Sequence, residues 1–373
     1  MLRVLIAAAF VCLAGCSGAP DKTQPTPLKR ISEEIKLVKI DSVSLGGNDS
    51  TGLTPDAFKD AVAASSSDGE VTLFDAKLNT RWTTDLDVNI LAGVALNQEA
   101  VYVVTADANL VALSIKDGSL LFSKLLPSIS TGPPVADANR VYVKTQIGQL
   151  LVLDAQSGEL AWIEEARESS IGIRGSAPMT LKDNTLFVLW ESGRLVAYLA
   201  DSGRTLWERQ VAVPRGRSPL DRIVDSKGAP SVRNNMVAVA TRNGQISLLN
   251  AMNGRPIWSL NSDAFPGALI AFNLVIVVET DGVVSAYSLQ SGNLVWSSEK
   301  LKYRELSPPA ILGDSIAVVD FEGELHLLSP KDGRMLGRLD VGSAQGKVAP
   351  VTFNTGVLVQ LTDGRLVHVG VVR

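Results

Sequence analysis

A motif of about 40 residues recurs eight times along this chain of 373 residues, and it constrains the fold more than any other feature. Each copy starts at a small residue, with an aliphatic residue two places later and another apolar residue five places later. The starts are Gly69, Ala108, Gly148, Gly193, Gly244, Gly282, Gly323 and Gly364, at spacings of 39, 40, 45, 51, 38, 41 and 41 residues. A repeat of this period is typical of architectures in which each unit buries its apolar faces against its neighbours.

Two further positions of the motif are also regular. Ten places after the start, six copies have a second glycine: Gly118, Gly158, Gly203, Gly254, Gly292 and Gly333. Fourteen places after the start, five of these have an aromatic residue: Phe122, Trp162, Trp207, Trp258 and Trp296. Trp82 fits with a turn that is one residue shorter, whereas Gly337 breaks the rule. One aromatic side chain per unit at a fixed place predicts a group that docks one unit against the next.

Each unit has the pattern of four short strands. A β-branched run precedes an Asp-Gly or Asn-Gly turn, which favours a tight hairpin, and the next run is apolar at successive positions. Such a run indicates a strand that is covered on both faces. The sequence therefore predicts an all-β fold, an eight-bladed β-propeller with four antiparallel strands in each blade. The last unit lacks a fourth strand, and residues 35–46 are predicted to supply it and close the ring.

The N-terminus is predicted to be a targeting segment followed by a lipid anchor. Residues 1–15 have a basic residue and an apolar core of signal-peptide length. Leu13-Ala14-Gly15-Cys16 resembles the lipobox of bacterial lipoproteins, which implies that Cys16 is acylated and that the mature protein is sorted to the outer membrane. Residues 16–30 are polar and rich in proline, as expected for a flexible tether, and residues 31–373 form the propeller.

The composition points away from several classes of function. The formal net charge is −4, which does not favour a nucleic-acid partner. His326 and His368 stand where other copies have small or aliphatic residues, so we expect both to be structural. The sequence has no metal-spaced cluster and no phosphate-binding loop. We therefore predict no catalytic residue, no metal and no cofactor, and no enzymatic activity.

The two long spacings predict where the protein binds a partner. Their extra residues fall between the last strand of one blade and the first strand of the next, in residues 163–178 and 208–230. Connections of this kind emerge on one face of a propeller, and insertions in a repeat usually map to its working face. Solvated loops without a function would explain the lengths equally well. However, apolar residues beside arginine and acidic residues have the composition of a protein interface.

The segments IGIRGSAP and LDRIVDSKGAP, together with the lipobox and the repeat, resemble the BamB family. Its members are lipoproteins of the complex that assembles β-barrels in the bacterial outer membrane. The resemblance implies a scaffold on the periplasmic side of that membrane which binds the POTRA domains of BamA, and with them the BAM complex; outer-membrane β-barrel substrates are a further possible partner. It assigns the contact to a small set of loop residues, with Asp225 as the acid that matches Arg174, whereas Lys227 stands where the family has an acid. The set is Ile171, Ile173, Arg174, Gly175, Asp221, Arg222 and Asp225.

Two alternatives remain from the sequence. The Gly-x₃-Trp ending also resembles the repeat of dehydrogenases that use pyrroloquinoline quinone, which would need an axial cofactor pocket, a Ca²⁺ cage and adjacent cysteines. A propeller that binds cell-wall polysaccharide would need aromatic residues exposed around one rim. Trp190, the only tryptophan outside the docking position, is expected to pack within its blade.

Overall fold

The computed structural model describes residues 24–47, 52–130, 132–166, 177–212, 228–242 and 244–372. Within these ranges the chain forms 32 β-strands and no helix, and it therefore has no helix that is long enough to span a membrane. The strands form eight antiparallel sheets of four strands each, in a propeller arrangement. The predicted fold class is confirmed.

The first four blades follow one another along the chain, each in the order inner strand to outer strand. Blade 1 contains β2 (Asp56–Phe58), β3 (Ala61–Ser65), β4 (Glu70–Phe74) and β5 (Thr80–Asp85). Blade 2 contains β6 (Ile90–Leu96), β7 (Ala100–Thr105), β8 (Asn109–Ser114) and β9 (Leu120–Leu125). Blade 3 contains β10 (Val135–Ala136), β11 (Arg140–Lys144), β12 (Gln149–Asp154) and β13 (Leu160–Glu165). Blade 4 contains β14 (Thr180–Lys182), β15 (Thr185–Leu189), β16 (Arg194–Leu199) and β17 (Thr205–Gln210).

The second half of the ring repeats this order until the last blade, which takes its outer strand from the N-terminal part of the chain. Blade 5 contains β18 (Ser231–Arg233), β19 (Met236–Ala240), β20 (Gly244–Asn250) and β21 (Pro256–Ser262). Blade 6 contains β22 (Gly267–Ala271), β23 (Leu274–Val278), β24 (Val284–Ser288) and β25 (Leu294–Ser298). Blade 7 contains β26 (Ala310–Leu312), β27 (Ser315–Val319), β28 (Glu324–Leu328) and β29 (Met335–Asp340). Blade 8 contains β30 (Val351–Phe353), β31 (Gly356–Gln360), β32 (Arg365–Val371) and β1 (Leu37–Ser44).

The ring closes as the sequence predicts. Strand β1 pairs antiparallel with β32, from Leu37 opposite Val371 to Ser44 opposite Arg365. Because the first strand of the chain completes the last sheet, the two ends of the propeller are joined by backbone hydrogen bonds.

The hydrophobic core is divided among the eight seams between neighbouring blades. The middle strands supply side chains to both seams: in β7, Val101 and Val103 pack toward blade 1, whereas Tyr102 and Val104 pack toward blade 3. The last seam, between blades 8 and 1, has its own cluster, which includes Val62, Phe74 and Leu366. Every blade is therefore covered on both faces, which explains the uninterrupted apolar runs.

Each docking tryptophan makes the same two contacts with the next blade. The indole N–H donates to a backbone carbonyl just beyond the third strand of that blade, as from Trp207 to Ala251 at 2.8 Å and from Trp296 to the carbonyl of Pro330 at 2.8 Å. The indole ring lies against the turn glycine. Gly333 has a φ of +67°, and a Cβ added to it would stand 2.4 Å from the Trp296 ring. The glycine is required both by its backbone conformation and by the ring that covers it.

Gly337 occupies the docking position of blade 7, and the backbone of the N-terminal segment takes the place of the missing ring. A Cβ on Gly337 would stand 2.4 Å from the carbonyl oxygen of Ile35. The amides of Glu34 and Ile35 both donate to the carbonyl of Leu336, at 2.8 and 3.0 Å. We call residues 24–36 the strap. It includes residues 24–30 of the predicted tether; the signal segment and the rest of the tether lie outside the described residues and stay predictions.

We expect Trp296→Ala to lower the free energy of unfolding by about 3 kcal/mol or more, because it removes a buried ring and leaves the carbonyl of Pro330 without its donor. The measurement is chemical denaturation followed by circular dichroism. Val295→Ala is the control, since Val295 is exposed on the same strand, and it should change stability by about 0.5 kcal/mol or less. Equal losses in the two variants would contradict a structural role for the docking position.

We expect Gly337→Ala to loosen the strap, because the added methyl group needs the space that the carbonyl of Ile35 occupies. Hydrogen–deuterium exchange should become faster in peptides that cover residues 24–36 and stay unchanged in blade 3. Gly313→Ala is the control in the same blade, because a Cβ at that glycine meets no atom within 4 Å. Gly313 has a φ of +58°, which Gly337 does not share, so this control strains the local backbone without touching the strap. Unchanged exchange in the strap of Gly337→Ala would show that the contact is not needed.

Candidate functional site

The two enlarged connections leave and re-enter the ring beside blade 4. The first connection joins β13 of blade 3 to β14 of blade 4, and the second joins β17 of blade 4 to β18 of blade 5. All seven residues predicted to bind a partner, Ile171, Ile173, Arg174, Gly175, Asp221, Arg222 and Asp225, lie outside the described residues, as does Cys16. The described residues define the four ends of the connections and the surface between them.

Both connections start on the same face of the disc. The amide of Ala166, one residue before the first undescribed stretch, donates to the carbonyl of Gly148 at 2.7 Å. The amides of Val211 and Ala212 donate to the carbonyl of Gly193 at 2.9 and 3.2 Å. Gly148 and Gly193 are equivalent glycines of the repeat, each in the turn between the second and third strands of its blade. The starts of the two connections are therefore fixed to equivalent turns of neighbouring blades.

The far ends of the connections lie close to the inner strands. The hydroxyl of Thr180 in β14 donates to the carbonyl of Pro230 at 2.7 Å, which links the first strands of blades 4 and 5. Gly228 packs against blade 6, where a Cβ would stand 2.6 Å from the Cα of Gly267. The second connection therefore re-enters the ring at the first strand of blade 5, in contact with blade 4 on one side and blade 6 on the other.

The turn at residues 190–193 of blade 4 lies between the two connections and is bound from both sides. We call it the blade 4 turn. From blade 3, the Lys144 ammonium donates to the carbonyl of Leu189 at 2.9 Å and pairs with Glu191 at 3.1 Å. From the outer strand of blade 4, the Gln210 amide donates to the carbonyls of Ser192, at 2.8 Å, and Ala212. The same turn is thus bound by the second strand of blade 3 and by β17, the strand that leads into the second connection.

Lys144 is 3% exposed, although it stands at the end of a strand where most copies of the repeat have an aliphatic or small residue. Its charge is compensated by Glu191, and its ammonium lies 6.0 Å from the centre of the Trp190 ring. A buried ammonium with one carboxylate, one carbonyl and an aromatic face is well paired. Sequence reasoning missed Lys144 and Gln210, although a lysine inside the apolar run RVYVKT was a usable signal.

Trp190 packs within its own blade and the seam to blade 3, as expected. It is 2% exposed, and its indole N–H lies 3.3 Å from the hydroxyl oxygen of Tyr198. Burial raises the pKa of Tyr198, so this hydroxyl stays neutral at physiological pH.

The second group of buried charges lies in blade 7, away from both connections. His326 is fully buried, with its Nε2 2.9 Å from Asp320, while Nδ1 accepts a hydrogen bond from Arg338 at 3.3 Å. Burial lowers the pKa of His326, and the hydrogen bond to Asp320 only partly offsets this. A neutral imidazole that donates through Nε2 and accepts through Nδ1 satisfies both partners. His326 is therefore a structural link between strands.

His368 is also buried, at 4% exposure, and its ring lies 5.4 Å from the ring of Phe353 in the same blade. Burial lowers the pKa of His368 too. Across the part of the chain that the structure describes, there is no group of three or more His, Cys, Asp or Glu residues that is arranged to hold a metal ion.

Comparisons with known proteins give a consistent result. The family profile described as "Outer membrane protein assembly factor BamB" matches residues 67–244 and 231–370. A protein of that name from Bordetella pertussis is 31% identical over 366 residues, which cover 96% of this chain and 94% of the relative. The crystal structure of BamB from Moraxella catarrhalis superposes with a TM-score of 0.82 at 25% identity, covering 90% of this chain and 100% of that one.

The fold is also shared with an enzyme. Quinohemoprotein alcohol dehydrogenase from Comamonas testosteroni has a TM-score of 0.69 at 16% identity, over 90% of this chain and 76% of that one. At this identity the likeness concerns the fold alone.

We expect Lys144→Met to lower the free energy of unfolding by about 1–3 kcal/mol, because it leaves the carbonyl of Leu189 and the carboxylate of Glu191 without their donor in a dry seam. Denaturant midpoints measure the change. Lys124→Met is the matched control, since Lys124 is an exposed lysine on the outer strand of blade 2, and a shift of about 0.5 kcal/mol or less is expected there. If the two substitutions have equal effects, Lys144 does not fix the blade 4 turn.

Proposed function

Because the chain belongs to the BamB family of outer membrane protein assembly factors, we propose that it is a non-catalytic scaffold of the complex that assembles β-barrels in the outer membrane. The observation that carries this proposal is the match to the family profile across the propeller, at residues 67–244 and 231–370. The relatives bear the name of an assembly factor. The protein is associated with the outer membrane as a member of this complex.

The finer proposal concerns the partner. We propose that the two enlarged connections bind the periplasmic POTRA domains of BamA. All four ends of the two connections lie around blade 4. The two starting ends are fixed to equivalent turns of blades 3 and 4 on one face. A single partner domain that touches both connections gains the contacts of each, while the rigid blade between them holds them apart at a fixed distance.

Within those connections, Ile171 and Ile173 would lose water on contact, and Arg174 would form paired hydrogen bonds with a carboxylate or with backbone carbonyls of the partner. Asp225 is the acid that matches the arginine, and Gly175, Asp221 and Arg222 complete the set. The blade 4 turn supports this role, because it lies between the two connections and is held by Lys144 from blade 3 and by Gln210 from the outer strand of blade 4.

The proposed location of the protein in the cell envelope rests on the predicted lipid anchor. We propose that Cys16 is acylated and holds the propeller on the periplasmic side of the outer membrane. Confinement to the surface in which the partner is embedded raises the effective concentration of the propeller near it, so a modest interface is sufficient for stable assembly.

We expect Arg174→Glu to abolish co-purification with BamA from detergent-solubilised envelopes, because the substitution reverses the charge of a residue proposed to lie at the centre of the contact. Such a residue commonly contributes about 2 kcal/mol or more to binding. Circular dichroism and the denaturation midpoint should be unchanged.

Arg204→Glu provides the matched control, since Arg204 is an exposed arginine of the same blade in the turn between its third and fourth strands, on the opposite face. That variant should recover as much BamA as the unsubstituted protein. Full recovery with Arg174→Glu would refute the site, and loss with both variants would show that the blade rather than the connection is responsible.

A further inference from the structure

The strap determines where the lipid-bearing N-terminus leaves the propeller. The amide of Thr26 donates to the carbonyl of Lys302 at 3.0 Å, in the connection between blades 6 and 7. The Thr26 carbonyl accepts in turn from Arg304, at 3.3 Å. Arg304 is itself 3% exposed and is held by Asp320 at 2.7 Å and by Glu322. The first described part of the strap is therefore attached to a rigid, buried ion-pair group.

The remainder of the strap runs down the outer edge of blade 7. Arg338 donates to the carbonyl of Lys29 at 3.2 Å, and Arg334 makes a two-pronged ion pair with Glu34 at 3.0 and 2.6 Å. Leu28 and Ile31 pack on the core between blades 6 and 7, and Ile35 packs on the core between blades 7 and 8. Contacts at both ends and along the length make the strap part of the propeller.

The exit of the chain lies on the same face as the enlarged connections, three blades further round the ring from the first connection and two blades from the second. Lys302 belongs to a connection from an outer strand to the next inner strand, the same class as the connections on either side of blade 4. Those connections belong to blades 3 to 5, whereas the exit lies between blades 6 and 7.

The length of chain before the strap limits how far the propeller lies from the membrane. Only residues 17–23 separate Cys16 from Gln24. Eight Cα-to-Cα steps span at most about 28 Å when fully extended. A tether of 14 residues that ended at residue 30 would allow nearly twice that distance. The attached strap therefore shortens the reach of the anchor and directs it to one side of the disc.

We propose that the rim at blades 6 and 7 is the membrane-proximal side of the propeller, and that blades 3 to 5 tilt away from the lipid surface with both enlarged connections open to the partner. This inference rests on the proposed function. A disc that lay flat, with this face on the lipid, would place the membrane where the partner domain has to dock. Attachment two to three blades away from the enlarged connections on this face allows both contacts at once.

Energy transfer from the protein to the bilayer tests the orientation. Acylated Cys16 has no free thiol, so Glu299→Cys and Glu165→Cys each introduce a single reactive site in the mature protein. Glu299 and Glu165 are exposed glutamates at the ends of the outer strands of blades 6 and 3, on the same face. Each lipidated protein is labelled with the same donor dye. It is then reconstituted into vesicles of phosphatidylethanolamine and phosphatidylglycerol that contain an acceptor on the lipid headgroup.

We expect several-fold stronger transfer from Glu299→Cys than from Glu165→Cys. Insertion of about twelve Gly and Ser residues after Ala19 leaves the strap attached but lengthens the reach, so it should reduce transfer from Glu299→Cys toward that of Glu165→Cys. Equal transfer from the two sites, or stronger transfer from Glu165→Cys, would overturn the proposed orientation.

Flotation of the same vesicles separates this outcome from a failure of the anchor. Protein that carries Cys16→Ser lacks the acylated residue and sets the background. If the unsubstituted protein floats no better than Cys16→Ser, the lipid anchor is wrong, and the orientation falls with it. If the protein floats but transfer is equal from both sites, the anchor stands and only the orientation is refuted.

Discussion

The contact between an indole ring and a turn glycine of the next blade is the interaction on which this propeller depends. Each ring buries apolar surface in a seam and satisfies a backbone carbonyl of the neighbouring sheet, as Trp207 does with Ala251 at 2.8 Å. The glycine is indispensable because its φ is positive and because a methyl group would meet the ring. Since the whole core is divided among the seams, a contact that fixes the seam geometry fixes the geometry of the ring.

Blade 7 solves the same problem in another way. It has Gly337 in place of the ring, and the backbone of the strap passes over this glycine to complete the seam. The N-terminal part of the chain thus does two things in succession: residues 24–36 cover the edge of blade 7, and β1 completes blade 8. Closure of the ring and placement of the predicted anchor are consequences of one continuous segment, so a substitution that loosens the strap acts on both.

The buried charged side chains of this protein hold irregular segments against the regular sheets. The buried charges of blade 7 hold the strap, and the buried Lys144 holds the blade 4 turn between the ends of the two enlarged connections. In both places an ion pair in a seam holds a segment that lies outside the regular strands. A rigid disc that holds such segments in fixed places agrees with membership of a family of assembly factors.

The sequence alone determined the number of blades, the four strands in each, the closing strand and the docking position, because these follow from patterns that repeat within about 40 residues. It also singled out Gly337 as an exception and the two long spacings as irregular. Only the tertiary structure decided which segment replaces the ring at Gly337 and where the strap lies. It also showed that Lys144 and Gln210 donate hydrogen bonds to the same turn. These features depend on contacts between residues far apart in the chain, such as Glu34 and Arg334, which are 300 residues apart. No local periodicity encodes such a pairing, because it exists only when the closed ring brings the two ends of the chain together.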